Sequence, residues 1–185
     1  EGKVFESTAA DGSLTVADYN QEDEYVKYSF KVELVAGGDM EYTATEAVSL
    51  ANPIIGALTQ PVSAVNVKTA GAGNALSATQ VAFVLSDASA VSGARIYYSK
   101  KAPFNISEAG LFGASKVEGT TVTATGSLPL AAGDNYFWLV GDVSTTAAVG
   151  SAITAQCTSV KIGGEEKFTS PVSSSVTVGD ALNMP

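Results

Sequence analysis

Apolar and polar residues alternate with a period of two through most of this chain. The clearest run sets Val26, Tyr28, Phe30, Val32 and Leu34 against Lys27, Ser29, Lys31 and Glu33. A strand turns successive side chains to opposite faces, so such a run fits one half-buried antiparallel strand and no amphipathic helix. Comparable runs occupy 13–18, 41–50, 62–69, 79–86, 94–100, 120–126, 135–143, 152–162 and 174–178. Val, Thr, Tyr and Phe are abundant in them, as a pleated, half-covered surface favours. Between them lie turn clusters at 36–39, 70–74, 92–93, 131–134 and 163–165, each with glycine or an Asx residue for positive φ, many of hairpin length. This pattern predicts an all-β chain folded as an antiparallel immunoglobulin-like β-sandwich, with a closed barrel as the second choice. Residues 103–113 resist a strand reading and predict a crossing loop, with a turn and a helix start capped by Ser107.

At 185 residues the chain has room for one or two domains. Thr59-Gln60-Pro61-Val62-Ser63 returns as Thr169-Ser170-Pro171-Val172-Ser173, and Asn74-Ala75-Leu76 is echoed by Asp180-Ala181-Leu182. The offset of 110 residues between Pro61 and Pro171 is one immunoglobulin-like domain in length. Two organisations follow. Either a partial module precedes a complete one, with 1–51 a β-rich N-terminal segment, 52–166 the sandwich and 167–185 a final strand or the start of a further repeat, or the short peptides match by chance within one continuous core.

Composition narrows function more than any motif does. The chain has no histidine, one arginine (Arg95) and one cysteine (Cys157). Histidine is the side chain whose ordinary pKa lies near neutrality, so proton transfer here would fall to carboxylates in a specially tuned site. A net charge of −9 repels phosphate backbones and argues against nucleic acid. No apolar run approaches the roughly 20 residues of a membrane span. The first five residues lack a signal pattern, which suits a cytoplasmic protein and a mature secreted one equally. Cys157 has no partner for an internal disulfide and, set in the alternating run 153–160, reads as a small buried hydrophobe.

The stretch 52–164 resembles the domain at the N-terminus of BNR-repeat neuraminidases (sialidases) of Bacteroidetes. The residues that carry this are Asn52-Pro53-Ile54-Ile55-Gly56; Arg95-Ile96-Tyr97-Tyr98-Ser99 followed by Phe104 and Leu111-Phe112-Gly113; the block from Leu130 through Gly133-Asp134-Asn135-Tyr136-Phe137-Trp138-Leu139; and Ala147-Ala148-Val149-Gly150 leading into Ile153, Ala155, Cys157 and Val160. The resemblance implies an all-β accessory module of an exported protein, periplasmic, on the outer-membrane surface or extracellular, set before a catalytic propeller. It does not imply sialidase activity. Those enzymes clamp the substrate carboxylate with three arginines beside a tyrosine nucleophile, and one arginine cannot form that clamp.

Within this frame the expected role is a non-catalytic module for carbohydrate recognition, adhesion or domain spacing, with a glycan or a cell-surface protein as partner and no cofactor or metal. Sugars stack their C–H faces on aromatic rings. Tyr97 and Tyr98 are adjacent and face opposite ways, so the outward one with Phe104 or Phe112 is the candidate platform. Tyr136, Phe137 and Trp138 lie in a run that is apolar at every position, as in a central strand covered on both faces, and read with Cys157 as core. Asp18, Glu22, Asp23 and Glu24 cluster but lack the spacing of a calcium loop. Two other classes stay open. One is a pilus-like subunit that pairs through edge strands, with 173–178 as the donor. The other is a carboxylate-based glycoside hydrolase fragment, which would need two acids facing across a cleft, Asp134 and Asp142 flanking Trp138 among the candidates.

Overall fold

The structure, a computed structural model, describes residues 5–8, 13–17, 27–29, 38–168 and 170–180. The chain divides into two compact units, Glu1–Gly37 and Gly38–Pro185. In the first, β1 (Phe5–Thr8), β2 (Ser13–Ala17) and β3 (Lys27–Ser29) form an antiparallel sheet in that order. Of the alternating run 26–34, residues 27–29 form β3 and the rest lies outside the described residues, as do Asp18, Glu22, Asp23 and Glu24.

The second unit holds β4 (Glu41–Ala47), β5 (Gln60–Ala70), β6 (Ser77–Leu85), β7 (Val91–Ser99), β8 (Gly110–Leu111), β9 (Ala114–Glu118), β10 (Thr121–Pro129), β11 (Gly133–Val143), β12 (Ala152–Ile162), β13 (Glu165–Glu166) and β14 (Val172–Thr177). One sheet runs β4-β5-β11-β7-β8 and the other β13-β12-β6-β10-β9, with β14 also beside β12. All these ladders are antiparallel. The result is the all-β immunoglobulin-like sandwich the alternation predicts, with two separate sheets and not a closed barrel. Alternate residues point inward: Val65, Val67, Phe137 and Leu139 from one sheet meet Val81, Phe83, Val122, Cys157 and Val160 from the other, each fully buried.

Most of the described turn clusters do not close hairpins. Those at 70–74 and 131–134 carry the chain from one sheet to the other, Ser92-Gly93 is an irregularity inside β7, and Gly163-Gly164 closes the β12–β13 hairpin. Local sequence specifies positive φ, but which strand receives the chain is set by the facing sheet. Gly113 marks another crossing. A Cβ there would lie 1.9 Å from the Thr125 carbonyl oxygen, so only glycine passes.

The sandwich starts at Gly38 and not at residue 52, because β4 pairs with β5. It also extends past 166, because β14 pairs with β12 and buries Val176. The proposed donor segment 173–178 is therefore already a strand of its own core. The described part of the sequence echo, Thr59 to Ser63 and Ser170 to Ser173, likewise sits in one sandwich, where Ser63 Oγ lies 2.6 Å from Ser174 Oγ across the sheets. The 110-residue offset is not a module period.

Chain entry and exit lie at opposite ends of this unit. Residues 38–40 bond to the β5–β6 connection through Met40 N to Gly73 O and Gly73 N to Gly38 O. Residues 178–180 lie at the other end, where Gly179 N donates to Pro53 O and Ile55 N to Gly179 O. The 11-residue strands β5, β11 and β12 between them span roughly 36 Å.

One buried amide fastens the arch into β11. Asn135 is fully buried. Its Oδ1 accepts from Ala131 N (2.8 Å) and Tyr98 Oη (2.9 Å), and its Nδ2 donates to Ala131 O (2.9 Å), Gly133 O (3.2 Å) and Val67 O (3.3 Å). Its backbone N–H donates to Asn66 Oδ1 (3.1 Å). These bonds join β5, β7 and the arch. Replacing Asn135 by Ala strands several buried polar groups at once, and urea unfolding should show a loss of about 3 kcal/mol with an unchanged m value. A loss below about 1 kcal/mol would show that the arch is held elsewhere.

Candidate functional site

The outward face of the β4-β5-β11-β7-β8 sheet carries a second apolar layer, where a sandwich normally meets water with polar side chains. Register sets it up. Trp138 on β11 lies opposite Ala64 on β5 and Tyr97 on β7, and Tyr97 lies opposite Leu111 on β8. Trp138 is 1% exposed, packed with Ala64 and Val140 under Val48, Leu50, Tyr97, Phe104 and Tyr136. Its ring lies 5.7 Å from Tyr136, nearly parallel, and 5.6 Å from Phe104, while Phe104 meets Tyr97 edge-on at 5.9 Å. Tyr136, Tyr97 and Phe104 are half-buried.

The cover over Trp138 is a strap, residues 100–109, most of which is exposed. Two local devices shape it. Trp138 Nε1 donates to Ser99 Oγ (2.8 Å), whose hydroxyl donates to Lys101 O (2.7 Å), so the indole N–H is satisfied and the strap's root is tied to the sheet. Further along, Asn105 Oδ1 accepts from Ser107 N (3.1 Å) and Ser107 Oγ (2.6 Å), and Asn105 O accepts from Glu108 N and Ala109 N. The cap is thus Asn105, not Ser107, and it closes a single turn with no helix beyond it.

Between the strap and the start of β5 lies an open groove of about 680 Å³. Pro61, Pro103 and Phe104 give it apolar faces, and Gln60, Lys101, Asn105 and Glu108 give it polar ends. Its wall includes Thr59 at φ 55°, a left-handed conformation that a β-branched residue rarely adopts. Asp142 Oδ1 holds that turn by accepting from Thr59 N at 2.8 Å. Strain of this kind costs about 1–3 kcal/mol and persists where surrounding structure enforces it, often at ligand sites.

The four platform candidates divide between the faces. Tyr97 and Phe104 come together outside. Phe112 is 1% exposed and lies in the inter-sheet core, 5.1 Å from Phe137. Tyr98 also faces inward, 5.4 Å from Phe137, with its hydroxyl spent on Asn135 and its pKa raised by burial. Phe112 is too deeply buried to form a surface platform, and Tyr98, half-buried, turns its ring toward the core because the residue parity that turns Tyr97 outward turns Tyr98 inward. Of the expected core set, Phe137 and Cys157 lie between the sheets, Trp138 beneath the strap, and Tyr136 at the rim of that outer layer. Gln60, Pro61 and Asn105 were not singled out from the sequence. An Asn-x-Ser turn signal would have pointed to Asn105, but nothing local tells that the strap faces β5.

Lys68 and Asp134, near this face, are held in ordinary structural pairs. Lys68 Nζ meets Glu46 Oε2 at 2.7 Å, which raises the Lys68 pKa through that hydrogen bond. Asp134 accepts from Asn66 Nδ2 at 2.7 Å. Asp134 and Asp142 are eight residues apart on one strand, roughly 26 Å by strand rise, against the 5–10 Å that paired glycosidase carboxylates need. Among the described residues no three metal-ligating side chains come together.

Residues 111–166, from β8 through β13, match the sequence model of the family described as the N-terminal domain of BNR-repeat neuraminidase. The match lies within the stretch 52–164 that carries the resemblance, apart from its last two residues, and takes in the Asn135 arch, Trp138 and Cys157. No curated protein matches the chain.

Two outcomes follow from the packing. Burial pushes the Cys157 thiol up to about 12 from an ordinary 9.0. Above pH 9 the unfolded thiol ionises while the folded one keeps its proton, so the unfolded state binds fewer protons and stability falls between about pH 9 and 12. The slope from this group reaches about 1.4 kcal/mol per pH unit, and the difference from Cys157→Ala in pH-dependent unfolding isolates it. Second, Phe104→Ala should move Trp138 emission to longer wavelength and raise its acrylamide quenching severalfold, at a stability cost of about 1–2 kcal/mol. Unchanged quenching would mean that the strap does not shield the indole.

Proposed function

We propose that this chain is a non-catalytic accessory module of an exported or cell-surface protein, and that the strap side of its sandwich recognises carbohydrate. The observation that carries the reading is the groove beside Phe104. It combines ring and proline C–H faces, which suit the apolar faces of a sugar, with carboxamide, ammonium and carboxylate groups in its lining. The matched family is the N-terminal domain of an enzyme family that acts on glycans, and this supports a role beside catalysis. The enforced conformation of Thr59 adds weight, since it shapes the groove wall.

Glycan-array binding followed by calorimetry tests the reading. Gln60→Ala, Asn105→Ala and Phe104→Ala should each weaken a captured glycan at least tenfold, with thermal unfolding little changed for Gln60→Ala. Binding unaffected by all three would move the site elsewhere.

Domain spacing is the second reading, favoured by the entry and exit of the chain at opposite ends of the sandwich. An in-line unit of this kind sets a fixed separation of roughly 36 Å along the strands.

A further inference from the structure

The groove has a direction as well as a chemistry. Its lining comes from two segments alone, 59–61 on one bank and 101–108 on the other. At about 680 Å³ it falls in the range of pockets that enclose whole small molecules, roughly 300–1,000 Å³, yet no third segment closes either end. A second hollow of about 250 Å³ lies against Tyr98, Ser99 and Gly110, and Lys101 and Glu108 line both. At those two residues the two hollows adjoin across the strap.

The polar groups follow the same line. Lys101, Asn105 and Glu108 are spread over eight residues of the strap, with Pro103 and Phe104 between them. A site for one terminal sugar gathers its polar groups around a single ring and closes behind it. Here polar and apolar contacts alternate along an open path, and the path is held still: Lys101 O is bonded to Ser99, which is bonded to Trp138, and Asn105 closes its own turn. Lys100 and Lys101 have no carboxylate within ion-pair distance among the described residues, whereas Lys68, Lys116 and Lys167 each do. The ammonium at the junction is thus available to hydroxyl or ring oxygens.

We propose that the groove holds an interior stretch of an extended glycan chain, several sugar units long, and that Lys101 marks the point where the chain passes from the larger hollow to the smaller. This deepens the carbohydrate reading and rests on it. Affinity should then grow with chain length, each added unit contributing until both hollows are filled, whereas the end of the chain is immaterial.

The test uses the full chain. Soluble glucan, mannan, xylan, pectin and chondroitin sulfate are screened by retardation in polysaccharide gels, and size-graded oligosaccharides of the retained polymer are titrated by calorimetry. Support is at least a tenfold gain in affinity from the monosaccharide to the tetrasaccharide, with Lys101→Ala weakening the long oligomers by a larger factor than the shortest binder. A monosaccharide that binds as tightly as the tetrasaccharide overturns the extended-chain inference and leaves carbohydrate recognition standing. A length gain untouched by Lys101→Ala overturns the assigned path. No retardation by any polymer together with no binding on a glycan array overturns the carbohydrate reading itself.

Discussion

The arrangement of β11 depends on where the chain enters it, and the buried amide of Asn135 decides that. A strand has two faces, and slipping by one residue exchanges them completely. Asn135 shares the parity of Phe137 and Leu139, so fixing its carboxamide between the sheets sends those two into the core and Tyr136, Trp138 and Val140 to the other side. The amide has no equal alternative, because on the outer face it would leave Ala131 N and the carbonyls of the arch without partners inside the protein. Its bonds to Val67 O and Tyr98 Oη extend the same register to β5 and β7. An ordering choice made at one residue thereby sets three central strands.

That choice creates a problem on the outer face. A tryptophan turned away from the core would present a large apolar surface to water, and hiding such a ring is worth about 1.5–3 kcal/mol or more. The strap answers it, and the Trp138–Ser99–Lys101 relay supplies polar partners that a bare apolar cover would lack. Ten residues laid over a sheet cannot seal it from edge to edge. Where the strap stops short of β5 the uncovered strip becomes the groove, so the candidate site follows from the way the indole is covered.

Much of this was legible in the sequence, in the terms that local patterns control. Alternation placed β12 at its observed limits and β11 to within two residues at its start, and it ran through β4 to β7. It separated Tyr97 from Tyr98 by face. What it could not supply was pairing at a distance. Nothing in Ala131–Asp134 says that the arch leads to the opposite sheet, and nothing in the tail says that β12 receives it, since both depend on residues far away in the chain. Asn135 carried a usable signal in its parity: a carboxamide two residues from Phe137 and four from Leu139 sits on a core face and must be bonded there. The groove carried none, because its two banks are some forty residues apart in sequence.

The scarcity of side chains that titrate near neutrality takes a definite form in this fold. Of the two aspartates that flank Trp138, one steadies Asn66 and the other enforces the Thr59 turn, and the length of β11 keeps them apart. Cys157 is neutral through the physiological range because it fills core volume. Asp134, Asp142 and Cys157 are thus each committed to holding a shape. A surface built this way gains rigidity, and rigidity is the property that an open groove needs, since neither wall then has to be ordered when a ligand arrives.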